Sequence, residues 1–259
     1  MVPVSSLIVM ALCALLGVAV PVGLAIWLVK KYQVKPLTIL VGAGVFIVFA
    51  LVLEPILHQL VLKGPHGAAI LGNVWYYALY GGLAAGLFEE TGRFLGMKFL
   101  LKKEPSAPIT GVAYGMGHGG AEMLLIYGLS MFSSIAFSVM INTGQADTLL
   151  ATVPAEGLAQ VQAQLDQLQT AAPGSYLLGI WERVSALLLQ LALSLMVWTA
   201  VRRGGKWLWL FPAAILLHFV VDATAAVLVK TVSMPLVETV LMCMAVALGA
   251  AAWMLARKR

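Results

Sequence analysis

Seven apolar runs, each long enough to cross a bilayer as a helix, follow one another along this 259-residue chain. They cover residues 5–29, 36–62, 68–101, 108–141, 176–201, 207–229 and 236–256. A helix rises about 1.5 Å per residue and the hydrocarbon is about 30 Å thick, so about 20 apolar residues suffice for each crossing. Composition leaves no soluble alternative. Hydrophobic residues make up 61% and charged residues 10%, whereas a soluble domain carries roughly 25% charged residues. The expected fold class is all-α, a polytopic membrane helix bundle of about seven transmembrane helices. An eighth arises if one of the two overlong runs, 68–101 or 108–141, breaks in two. The expected organisation is a single integral-membrane domain over residues 1–259, in the lipid bilayer of a bacterial plasma membrane.

The connections alternate in charge. Lys30, Lys31 and Lys35 follow the first run, Lys102 and Lys103 the third, and Arg202, Arg203 and Lys206 the fifth, while Arg257, Lys258 and Arg259 end the chain. The positive-inside rule then predicts the N-terminus outside and the C-terminus in the cytoplasm. The net charge of +5 is therefore a topology signal, and no nucleic-acid partner is expected. The first run is too long for a signal peptide and lacks a small-residue cleavage site, so it reads as a span. Residues 143–175 form the one long loop, on the outer side, with Leu158, Val161, Leu165 and Leu168 at the spacing of an amphipathic helix. Cys13 and Cys243 lie in apolar runs and read as packing residues.

Ionisable groups inside a span cost a few kcal/mol each on insertion scales, so each asks for a reason. Three groups stand out. Glu89 and Glu90 precede Arg93 by four and three residues, close enough on a helix for either to pair with it. His118 and Glu122 share a helix face within a glycine-rich stretch that begins at Tyr114, and His218 and Asp222 share another. Tight glycine packing around a satisfied histidine, or a structural His–Asp pair, explains either of the last two alone. Depth argues for more. Counted from the basic ends at about 1.5 Å per residue, Glu90 and His118 lie about 16 Å deep and His218 about 18 Å deep. Three separately drawn spans thus place Glu, His and His near one plane.

A glutamate, two histidines and further carboxylates can activate a water and hold an oxyanion. Hydrolysis of an acyl group follows, and a membrane-embedded or membrane-proximal peptide is the expected substrate. The same donors allow an alternative zinc site of His118, Glu122, His218 and Asp222. The chain has no H-E-x-x-H and no G-x-S-x-G, so neither zincin nor nucleophile-elbow chemistry is signalled. An ion or proton transporter also buries such groups, and an immunity or scaffold protein could carry them without catalysis.

At these residues the sequence resembles the glutamic intramembrane proteases. These comprise the CAAX-prenyl protease and bacteriocin-processing family, the PrsW family and, most closely, the YhfC group of membrane peptidases. Glu89, Glu90 and Arg93 match the paired-glutamate motif, Tyr114 and His118 the aromatic-x-x-x-His motif, and His218 and Asp222 the His-x-x-x-Asn/Asp motif, in the family order. The resemblance implies that Glu89 or Glu90 activates the water with His118. It implies that His218 and Asp222 serve the oxyanion side, and that no cofactor is needed. An ionised Asp222 cannot donate to an oxyanion, so it must be protonated or must orient His218. The E-E-x-x-R spacing is one residue shorter than in the CAAX proteases, which leaves the choice of glutamate open. The YhfC resemblance extends to Glu182 and Arg183, with Gln190 standing where a histidine is expected. Glu54 and His58, flanking Pro55, read as an interfacial pair near the outer end of the second span.

Overall fold

The computed structural model describes residues 1–258, and every regular element among them is helical. Ten helices follow one another: α1 Val4–Tyr32, α2 Pro36–Leu62, α3 Gly67–Gly72, α4 over 74–100, α5 Pro108–Asn142, α6 Ala146–Thr152, α7 Ala155–Thr170, α8 Ser175–Arg203, α9 Gly205–Leu228 (opening on a 3₁₀ turn) and α10 Met234–Arg257. Of the described helices, α1, α2, α5, α8, α9 and α10 are long and apolar enough to cross a membrane. The third expected run is helical as well, but α4 carries Glu89, Glu90, Arg93 and Lys98, and it is not among these six apolar spans. That run does break, at Asn73. Its backbone is extended, and its side-chain oxygen accepts the N–H groups of Trp75 and Tyr76 at 2.9 and 3.2 Å, starting α4 afresh. The run at 108–141 does not break. It stays one helix and absorbs a π-helical segment, Met123–Gly128.

The chain divides into two compact units. The first comprises residues 1–20 and 123–183. In it the 143–175 segment folds into α6 and α7. Leu165 and Leu168 of α7 are buried, Leu168 in a cluster with Val2 and Met10, while Leu158 stays exposed. Asn142 ties down the chain start by accepting from the Val2 amide at 2.7 Å and donating to its carbonyl at 2.9 Å.

The second unit comprises residues 21–122 and 184–259. Its core gathers around α8, whose most apolar window is 72% buried where those of the other spans are 17–28% buried. Two glycine-mediated approaches position the site. On the face between α2 and α5, a Cβ on Gly42 would run into the Tyr114 carbonyl, and one on Gly117 into the Ile39 carbonyl. Between α4 and α9, a Cβ on Gly86 would stand 2.8 Å from the Ile215 carbonyl oxygen. Backbones this close fix helix depth and rotation together. The basic connections gather at one end: Lys35 pairs with Glu104 at 2.8 Å, Arg202 donates to the Lys102 carbonyl at 3.0 Å, and Arg203 to the Leu255 carbonyl at 3.2 Å.

Candidate active site

The site lies wholly in the second unit, and α4 is its spine. Its last α-helical turns before the π segment Gly96–Leu100 present Glu89, Glu90 and Arg93 inward. Arg93 is fully buried and donates to both glutamates, from Nη1 to Glu90 Oε2 at 3.2 Å and from Nη2 to Glu89 Oε2 at 3.4 Å, with Nη1 also 2.9 Å from Glu90 Oε1 in an ion pair. Neither glutamate is simply the partner and the other free. One guanidinium fork holds the pair, an arrangement a lysine could not reproduce.

Each glutamate then takes its own histidine. His118 Nε2, from α5, lies 2.8 Å from Glu89 Oε2. His218 Nδ1, from α9, lies 2.8 Å from Glu90 Oε1. Both histidines are buried, so each ring depends on its carboxylate for a partner. The plane inferred from depth is therefore a bonded cluster. The glycines beside His118 admit neighbouring backbone and side chains, including Gln190, whose Cβ would stand 2.7 Å from a Cβ on Gly119.

Gln190 of α8 closes the network. Its amide oxygen accepts from Arg93 Nη2, and its amide nitrogen donates to Glu89 Oε2 at 3.0 Å and to Glu122 Oε2 at 2.7 Å. Glu122 thus joins through Gln190. A neutral histidine offers one donor and one acceptor and could not make all three bonds. Asp222 stands 3.5 Å from His218 Nε2, and its side chain is 37% exposed. Tyr114 stacks on His118 at 6.3 Å between ring centroids, and its hydroxyl lies against Gly96. Phe46 meets His118 edge-on at 5.2 Å. Glu182 and Arg183 pair with each other and belong to the first unit.

The two glutamates differ in access. Both oxygens of Glu90 are bonded and its side chain is fully buried. The hydrogen bonds that Glu89 makes with Arg93, His118 and Gln190 all fall on Oε2, and the side chain keeps 10% exposure. Glu54 and His58 do pair, at 3.2 Å between Oε1 and Nε2; Glu54 is buried, and His58 Nδ1 lies 2.8 Å from the Tyr80 hydroxyl on α4. A seven-residue π segment, Ile47–Leu53, immediately precedes Glu54 and turns the helix face in a way that even 100° counting cannot follow.

A helical membrane bundle with a buried Glu–Arg–His–Gln cluster defines the class, a polytopic membrane protein with a polar site inside its apolar spans. The chain belongs to the family described as YhfC intramembrane metalloprotease, whose model matches residues 16–255. It is 36% identical over 227 residues to a protein of Bacillus subtilis (strain 168) described as uncharacterized membrane protein YhfC, a match covering 87% of this chain and 86% of that one. No solved structure matches it. With this relative and six apolar helices, the chain is an integral membrane protein of the bacterial plasma membrane.

The family's description implies a metal. Two histidines and several carboxylates are suitable donors for zinc. Their arrangement here is not a ligand sphere. The donor atoms of Glu89, Glu90, His118 and His218 are bonded to one another, and Arg93 places a fixed positive charge between the carboxylates. In the alternative set of His118, Glu122, His218 and Asp222, the histidines turn to the paired glutamates and Glu122 to Gln190. Among the described residues no three His, Cys, Asp or Glu side chains are grouped to hold a metal ion.

Proposed function

We propose that this protein is an intramembrane endopeptidase of the glutamic type, with Glu89 as the base that activates water. The observation that carries the reading is the buried 2.8 Å bond between Glu89 Oε2 and His118 Nε2, made while Oε1 is left to meet a water. His118, Gln190 and Arg93 fix the carboxylate. Glu90 and Arg93 form its electrostatic frame, and Glu90 also holds His218 through Nδ1.

Glu89 takes a proton from water as the oxygen adds to the peptide carbonyl carbon. The oxyanion formed faces Nε2 of His218, which stabilises it by donating a hydrogen bond. Asp222, 3.5 Å from the same nitrogen, steadies the charge on that ring. Glu89 then returns the proton to the leaving nitrogen as the C–N bond breaks. The substrate is a hydrophobic peptide segment in or beside the bilayer.

The test is cleavage of a quenched library of hydrophobic peptides by purified protein in detergent. The expected result is turnover that is lost in Glu89→Gln and His118→Ala and indifferent to chelator. A second reading, a metal-dependent protease, is favoured by the family's description. Turnover abolished by chelator and restored by zinc would establish it in place of the first.

A further inference from the structure

Hydrolysis consumes one water per bond cleaved, and the inner groups of this cluster are shut away from the surface. Glu90, Arg93 and His118 are fully buried inside apolar spans. Water must reach Glu89 along polar groups, and the structure contains such a series outside the catalytic set. It lies between α2 and α4 in the second unit.

These two helices run antiparallel, and two contacts set their register. Phe49 of α2 covers Gly92 of α4, where an added Cβ would stand 2.5 Å from its ring. Nine residues later on α2, His58 meets Tyr80, twelve residues earlier on α4, at 2.8 Å. Glu54 falls between these contacts, just beyond the level of Glu89. Its Oε1 lies 3.2 Å from His58 Nε2, and the register set by the two contacts brings it about one helical turn from the level of Glu89. Exposure rises along the series, from 11% at the Glu54 side chain to 34% at His58. The chain of groups leads toward the end that bears residues 63–73. On the opposite face of the same turn Ile56 is 53% exposed to the surroundings of an apolar helix, which in a membrane are lipid.

We infer that Glu54, His58 and Tyr80 form a water-entry path that joins the aqueous face at residues 63–73 to the Glu89–His118 pair. The path serves the hydrolytic reading proposed above and rests on it for its purpose, but its existence is measured without turnover. Glu54 and His58 act on the reaction through the water they admit, as positioning residues. A π segment placed just before Glu54 aims it between the helices instead of at lipid.

The experiment uses single-cysteine variants Glu54→Cys, His58→Cys, Tyr80→Cys and Ile56→Cys, in a Cys13→Ala, Cys243→Ser background, reconstituted in liposomes. A charged, membrane-impermeant methanethiosulfonate is the probe. Positions 54, 58 and 80 are expected to react at least ten-fold faster than position 56. Equal rates at 54 and 56 would overturn the path, because the whole turn would then lie in water. Reaction at 58 with none at 54 would overturn it as well, because the path would stop short of the site. Wild-type protein provides the second measurement, free of any folding defect. A water-soluble carbodiimide with a hydrophilic amine should label Glu54, read by peptide mass. Labelling of Glu54 only by a lipid-soluble carbodiimide would overturn the inference. Peptide cleavage by a protein whose Glu54 is unreactive would remove the path and keep the protease. Labelled Glu54 in a protein that cleaves nothing would do the reverse.

Discussion

Glu89 and His118 are bonded at 2.8 Å across two helices and 29 residues of sequence, with neither side chain appreciably exposed. A carboxylate and an imidazole brought together inside an apolar bundle hold each other in one geometry. The bond leaves the second oxygen of Glu89 as the group able to meet a small molecule. Glu90, one residue on, has no such oxygen, because Arg93 and His218 occupy both.

The two glutamates should therefore separate in mutagenesis. Glu89→Gln keeps the shape and can still accept a hydrogen bond, yet it removes the base. Turnover should fall about 10²–10⁴-fold, the usual contribution of a positioned general base, with a smaller loss of stability than in Glu90→Gln, because one amide oxygen can keep the Oε2 site that Arg93, His118 and Gln190 share. Glu90→Gln should lower stability as well, since Arg93 and His218 both lose their anion. Cleavage rates measured beside unfolding curves in detergent distinguish the two. Equal loss of activity with equal stability would remove the distinction drawn between them.

Among the described residues, Arg93 is the cation bonded to both glutamates. Arg93→Met would leave two buried carboxylates without their counter-charge, and removing one partner of a buried ion pair typically costs about 3–5 kcal/mol. Arg93→Lys should recover part of this loss only, because an ammonium cannot span two carboxylates and the Gln190 oxygen as a planar fork does. Chemical denaturation of the three proteins in the same detergent gives the order.

Much of this cluster could be read from the chain, and the reason is geometric. Depth along a helix needs only counting from a charged end, so Glu90, His118 and His218 could be assigned to one plane, and the structure joins them with Glu89 in one bonded cluster. Rotation about the helix axis is harder, because it assumes 100° per residue throughout. Three π segments break that assumption, at Ile47–Leu53, Gly96–Leu100 and Met123–Gly128. Glu54 follows the first of them, so its burial could not be counted from the sequence. Gln190 could be placed at the right depth, but its partners could not be, since an amide bonds in several ways and only the neighbours decide.

Gln190 yields a further expectation. It accepts from Arg93 and donates to Glu89 and Glu122. Gln190→Leu leaves those groups short of partners, at about 1–3 kcal/mol for an unsatisfied buried group. Gln190→Glu should be worse, because a third carboxylate would face Glu89 and Glu122. Gln190→His, despite carrying the residue type expected at this position, should not reach wild-type stability. Melting temperatures of the three variants give the ranking, and a histidine variant at or above wild type would contradict it.

The glycines make a prediction that needs no assay of activity. Gly42 and Gly44 lie two residues apart on α2, in the same apolar segment. A methyl group on Gly42 meets the Tyr114 carbonyl, whereas one on Gly44 meets nothing within 4 Å. Gly44→Ala should therefore stabilise the helix by about 0.5–1 kcal/mol, the propensity difference alone. Gly42→Ala should destabilise by about 1–3 kcal/mol or more, since overpacking here is against backbone. Pushing α5 away also carries His118 away from Glu89, so Gly42→Ala should lose turnover beyond what its stability loss explains. Thermal unfolding and peptide cleavage, measured for both variants, test the two halves of the argument. A Gly42→Ala protein that melts with the wild type would mean that α2 and α5 do not approach each other as closely as described.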